Sequence, residues 1–258
     1  MVRNCAPENL EIVARDSGFA HCAPRNDEGN SGLVPMPSDQ TRTAILAAAE
    51  RLYAERGFSD VTLRDIVAEA NVNLAAVNYH FGSKDELIAE LFVTRSLALN
   101  RERLRELRAA EEKGNGRADI ADILRALVGP SLRGCLGPDN QRATAARFMI
   151  RVSIESVPPI RRIRNREIDH LRKFVAAMRR SLPGHGDAEL YWGLHFALAM
   201  AQQTVRDSER LTKLSEGKCD VDDVDGVIDR VVSVAVMGLT ARPPQDKPAS
   251  RAAALWTK

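Results

Sequence analysis

Residues 61–82, VTLRDIVAEANVNLAAVNYHFG, restrict the fold of this chain more than any other stretch. Thr62 followed three residues later by Asp65 resembles a capping box, with Asp in place of the usual Glu. It predicts a helix over about 63–70. Asn71 tolerates the left-handed turn conformation that Gly often fills. Asn73 is then placed to cap a second short helix over about 74–80. Two short helices joined by such a turn form a helix-turn-helix.

The flanking sequence supplies the support such a unit needs. Ile45, Ala48, Ala49, Leu52 and Tyr53 share one face at helical spacing, which predicts a helix over about 39–56 that ends at Gly57. Ser83 with Glu86 is a full capping box and opens a long helix to about Glu112, carrying Leu87, Leu91, Leu97, Leu99, Leu104 and Leu107. Ile45, Leu52, Phe58, Ile66, Val72, Val77 and Phe81 are expected to form a small shared core. After the break at Gly114-Asn115-Gly116, further helices are predicted over about 119–135, 140–156, 160–181, 187–213 and 221–240. The fold class is therefore all-α, a three-helix helix-turn-helix domain followed by a larger helical domain. The expected boundaries are a disordered extension at 1–37, the helix-turn-helix domain at 38–84, the helical domain at 85–241 and a flexible tail at 242–258.

With Val77 and Phe81 turned inward, the rest of the second short helix is left to meet a partner. Small residues such as Ala75 and Ala76 let a helix approach base edges and thymine methyl groups, and Asn78 has the geometry to read adenine. Tyr79, Thr62 and Lys84 are candidate phosphate donors. Arg64, Asn73, Leu74 and His80 complete the candidate DNA-binding set. Charge runs the other way: residues 39–82 hold four Arg against six Asp and Glu, and the whole chain is only +2. Affinity must then rest on a few well-placed groups and on dimerisation.

The run TRTAILAAAERLYAERGFSDVTLRDIVAEANVNLAAVNYHFGSKDELIAELF resembles the N-terminal domain of the tetracycline-repressor-like (TetR) family. Asn71 stands where that family usually has a turn glycine, and Gly82 where proline is common. The resemblance implies DNA contacts at Thr62, at residues 73–80 and at Lys84. It also implies a homodimer on double-stranded, palindromic operator DNA, with a small-molecule effector bound beneath the dimer interface. More loosely, RFMIRVSIESVPPI, LRKFVAAMRRSLPG and AELYWGLHFALAMA look like the C-terminal domain of a fatty-acid-responsive branch. That implies a small hydrophobic or acyl-type effector.

The predicted helices at 187–213 and 221–240 are apolar on more than one face, so each needs a second partner. Leu194, Leu198, Val224, Ile228, Val231, Val232 and Ala235 are the expected dimer interface. Leu132, Phe148, Met149, Phe174, Trp192, His195, Phe196 and Met200 are the expected effector pocket, Met and aromatics suiting an apolar ligand with a polar or acidic end. The Arg161–Lys173 basic run is read as a solvated helix face.

Enzyme chemistry finds no footing. The five histidines are scattered, and the sequence has no H-E-x-x-H, phosphate-binding loop or G-x-S-x-G. The four cysteines form no C-x-x-C pair, so neither a metal site nor a cofactor is expected. No apolar run approaches the ~20 residues of a membrane span, and no signal-peptide pattern opens the chain. The expectation is a cytoplasmic repressor released from DNA by its effector. The alternatives are an activator of the same fold and a ligand-binding dimer without DNA binding.

Overall fold

In a computed structural model that describes residues 38–138, 140–155 and 157–241, every element of regular structure is an α-helix. The predicted extension at 1–37 and the tail at 242–258 lie outside the described residues.

The first three helices are α1 (Ser38–Arg56), α2 (Leu63–Ala70) and α3 (Leu74–Phe81). Their boundaries follow from local chemistry. Thr62 and Asp65 form the capping box of α2. Asn71 closes α2 in the left-handed region (φ 53°, ψ 48°), where its short polar side chain is tolerated. The Asn73 side chain accepts the Ala76 amide and opens α3. Gly57 ends α1 at φ 89°, and a Cβ there would lie 2.7 Å from the Glu155 carboxylate. Glycine suits this position for its positive φ, and any side chain there would also have to displace the Glu155 carboxylate.

Helix α4 (Lys84–Lys113) is 30 residues long and starts on the Ser83 cap. At about 1.5 Å per residue it spans ~45 Å, enough to serve two cores. Its first turns (Leu87, Ile88, Leu91, Phe92) pack with α1–α3, while Leu107 belongs to the second core. The remaining helices are α5 (Ile120–Leu136), α6 (Asn140–Ile154), α7 (Pro158–Arg166), α8 (Asp169–Ser181), α9 (Asp187–Arg206), α10 (Ser208–Leu214) and α11 (Val224–Thr240).

Two predicted helices are each divided in the structure. The run at 160–181 breaks at Glu167 and Ile168 into α7 and α8, with no Pro or Gly to announce it. The run at 187–213 breaks at Asp207, whose carboxylate takes the Gln203 amide and pairs with Arg206 and Arg210. The last helix begins at Val224, later than the predicted 221, because Asp223 caps the Gly226 amide.

The apolar residues form two clusters. One joins α1–α4 with Phe148 and Val152 of α6 and Ile160 of α7. The other gathers α5, α8, α9 and α11 around Leu124, Leu127, Phe174, Leu190 and Ile228, all fully buried. At Gly193 a Cβ would lie 2.2 Å from the Leu239 side chain, so α9 approaches α11 closely there. Replacing Phe174 by alanine should remove a ring from the centre of this cluster and cost about 3–5 kcal/mol. Urea unfolding followed by circular dichroism measures it, and a loss below about 1 kcal/mol would contradict the central placement of Phe174.

Candidate nucleic-acid interface

The face of α3 left over by packing is the first candidate site. Val77 (0% exposed) and Phe81 (7%) anchor the helix, while Leu74, Ala75, Asn78 and Tyr79 are exposed, Tyr79 at 83%. Of the two alanines expected to approach bases, Ala75 faces out and Ala76 packs against the first core. His80 is half-buried and meets the Tyr79 ring edge-on at 5.1 Å. Asn73 holds the Ala76 amide with its carbonyl oxygen, which leaves its side-chain NH₂ as the group available outward. The first amides of α3 have no intrahelical acceptor, and a helix N-terminus of this kind favours an anion.

Thr62 is exposed, yet its hydroxyl donates to Asp65 Oδ2 at 2.6 Å. Those hydrogen bonds hold the Asp65 carboxyl below its usual range. Arg64 is exposed and makes no ion pair among the described residues. Arg42 and Arg51, by contrast, pair with Glu90 and Glu69. Positive charge on this face is therefore sparse and centred on Arg64.

Lys84 departs from expectation. Its ammonium donates to the carbonyls of Phe58 (2.9 Å) and Val61 (2.5 Å) and lies 5.8 Å from the Tyr53 ring centre. The loop after α1 would otherwise bury carbonyls without donors, so Lys84 turns inward and positions α2 and α3 instead of reaching for a phosphate.

A joint ties this unit to α6. Glu155, just beyond the end of α6, accepts the Phe58 amide at 2.9 Å, and Arg151 donates to the Glu55 carbonyl at 3.1 Å. Phe148 is fully buried with its ring edge-on to Phe58, which stacks on Tyr53. Phe148 was expected in the effector pocket. It sits in this joint because Phe58 and Tyr53 offer it an aromatic slot.

A cavity of about 980 Å³ lies between α1, α4, α5, α6, α8 and α9. Leu132 and Met149 line it. The other expected lining residues lie elsewhere. Phe174 is sealed in the second core, and Met200 is half-buried against it. Trp192, His195 and Phe196 form a cluster on the outer face of α9, with Trp192 and Phe196 stacked at 5.3 Å. The cavity instead holds polar groups that sequence reading passed over: Arg103 of α4, Ser131 and Cys135 of α5, and His170 of α8.

The expected dimer residues are likewise redistributed. Leu194, Ile228, Val231, Val232 and Ala235 are buried in their own chain, because α5 supplies the partner for α9 and α11. Leu198 lines the cavity, and Val224 is half-buried against the second core. The apolar residues left exposed on these two helices are Tyr191, Trp192 and Phe196 of α9 and Val234 and Met237 of α11.

This architecture coincides with two family descriptions. The family of bacterial regulatory proteins called tetR matches residues 45–91, and the tetracyclin repressor-like C-terminal domain matches residues 125–238. The chain belongs to the TetR family. A helix-turn-helix transcriptional repressor of Mycobacterium tuberculosis is 44% identical over 55 residues, 21% of this chain and 29% of that protein. The repressor KstR2 of Rhodococcus jostii is 35% identical over 65 residues, 23% of this chain and 32% of that protein. These matches span about a third or less of the relatives' own length. Among solved structures, a transcriptional regulator from Rhodococcus aligns with TM-score 0.53 and 22% identity, covering 78% of this chain and 99% of that one. A TetR-family regulator from Marinobacter aquaeolei aligns with TM-score 0.53 and 14% identity, covering 76% and 95%. TetR membership thus agrees with the all-α fold and the helix-turn-helix read from residues 61–82.

His170 gives the cavity of this TetR protein a measurable signature. Burial first, and then the nearby Arg103 charge, push its imidazole from 6.5 down to about 4, with Asp169 opposing. The unfolded chain therefore binds the proton more readily, and stability rises with pH between about 4 and 6.5. The contribution is complete above 6.5 and is lost as pH falls. The urea midpoint should drop on acidification through this window, and His170→Asn should flatten that drop. An unchanged pH profile in the variant would place the effect elsewhere.

Proposed function

We propose that this protein is a dimeric DNA-binding transcription regulator, a repressor released from a palindromic operator by a small hydrophobic effector. One observation carries the reading: α3 is capped at its start and locked by Val77 and Phe81, yet leaves Ala75, Asn78 and Tyr79 exposed. A helix held so firmly while its outer face stays bare suits the major groove. Asn78 is the base reader, Tyr79 and Arg64 are phosphate contacts, and the α3 N-terminus is a further anion contact. Leu74 and Asn73 flank the reading face, and Thr62 serves chiefly as the α2 cap.

Two copies joined through the outer faces of α9 and α11 would set two reading helices about 34–36 Å apart, or a multiple of that. The exposed Trp192, Phe196, Val234 and Met237 support that joining surface. Effector binding acts by preferring the conformation that does not fit the operator. The route runs from the cavity through Met149 and its neighbour Phe148 to Phe58.

Fluorescence anisotropy on DNA upstream of the gene tests the head. Replacing Asn78 and Tyr79 together with alanine should weaken specific binding by about 10- to 100-fold or more, at ~1–3 kcal/mol for a good base contact. Arg64→Ala should reduce the salt slope by about two, one for each half of the dimer, while Lys84→Met should leave it unchanged. Weak binding, indifferent to sequence and unchanged in the double variant, together with a failed selection from random oligonucleotides, would end the DNA-binding reading. It would favour a ligand-binding dimer instead. For the second surface, sedimentation should give twice the chain mass, and Trp192→Glu combined with Val234→Glu should give a single chain's mass. A dimer that survives both changes would move the interface elsewhere.

A further inference from the structure

Arg103 is 9% exposed, and α4 carries it to the wall of the cavity. Its guanidinium donates to Ser131 Oγ at 3.2 Å, while its Nε is buried with no hydrogen-bond partner. Among the described residues it forms no ion pair. Glu50, the other buried charge in the described residues, is held at both carboxylate oxygens by Arg95. A buried cation with unmet N–H donors is costly unless an anion arrives to meet it.

Among the described residues the surroundings supply no such anion. Burial lowers Arg103 to about 10, so it remains charged at neutral pH. Burial also raises the neighbouring Cys135 thiol to about 12, so it stays protonated, and His170 is neutral at that pH. The acids along the cavity wall are Glu50, engaged with Arg95, and Glu102 and Glu167, neither of which pairs with Arg103. The apolar part of the wall includes Phe92, Leu99, Leu132, Met149, Val152 and Leu198. The volume of about 980 Å³ is at the upper end of the ~300–1,000 Å³ that holds a drug-sized molecule.

Building on the reading of this cavity as the effector site, we propose that the effector is an apolar carboxylic acid whose carboxylate pairs with Arg103. A guanidinium presents parallel N–H groups that match the two oxygens of a carboxylate, and the free Nε–H together with an Nη–H offers that fork. A cationic ligand would face the unpaired guanidinium, and an uncharged one would leave its donors unmet. The same helix carries Lys84, whose ammonium holds the loop before α2. A pull on Arg103 therefore acts on the element that positions the reading head.

The test is isothermal titration calorimetry on the full chain without DNA. The probes are dodecanoate, naphthylacetate and deoxycholate, each beside its methyl ester, with dodecylammonium as the cationic control. At least one acid should bind about tenfold or more tightly than its ester, the scale of one charge-assisted hydrogen-bonded pair, and dodecylammonium should not bind. Arg103→Met should abolish the preference while keeping ester binding. It should melt no lower than the parent, since it removes an unpaired buried charge. Arg103→Gln reads the same preference should the methionine variant fail to fold. If no acid is preferred over its ester, or the preference survives in these variants, the proposal is overturned. Because DNA is absent, this result stands apart from operator binding. Acid binding that never releases operator DNA would sink the regulatory reading alone, and operator release by the esters as readily as by the acids would sink the carboxylate site alone.

Discussion

The turn after α1 is where the molecule is held together. Phe58 gives its amide to Glu155, its carbonyl to Lys84, and its ring to Tyr53 and Phe148. Those contacts come from α1, α4 and α6, together with the segment that follows α6. The position of α2 and α3 rests on this loop together with their own packing against α1 and α4. A reading helix of eight residues has little stability of its own, so tertiary packing has to hold it.

Charge is distributed to the same end. Most arginines near the head are committed to local carboxylates, Arg42 to Glu90, Arg51 to Glu69 and Arg95 to Glu50. The exposed pairs contribute little stability each, but they neutralise groups that would otherwise repel or attract DNA indiscriminately. What remains is a nearly neutral face on which Arg64 makes no ion pair among the described residues and Tyr79 is exposed. On the proposed reading, recognition by such a face relies on geometry and on the paired heads of a dimer more than on bulk attraction. Arg103 also makes no ion pair among the described residues, but it is buried.

Much of the head was legible because its signals are local. Thr62 with Asp65, Asn71 and Asn73 each act within three or four residues of themselves, and the structure uses them as caps and turn as expected. Lys84 was misread for the opposite reason. Its partners, the carbonyls of Phe58 and Val61, are distant in sequence, and nothing in S-K-D-E says that the ammonium turns inward. Arg103 left a faint trace, a charge set between Leu99 and Leu107 on a four-residue spacing. Its burial, however, depends on α5 and α8 lying across it.

The apolar helices α9 and α11 show the same division. Their composition announces two faces to be covered, but which face meets α5 and which is left bare depends on how the helices cross. Hence Ile228 and Val231 fill the chain's own core while Trp192, Phe196 and Val234 remain outside. The sequence by itself determined the all-α class, the helices and caps of residues 38–84 and the exposed side of α3, because hydrogen bonds and apolar periodicity along one helix are local. Only the tertiary structure decided the cavity, its unpaired guanidinium, the joint at Phe58 and the exposed side of α9 and α11. Each of these is made by residues far apart in the chain, and the free energy that brings them together belongs to packing, not to any one segment.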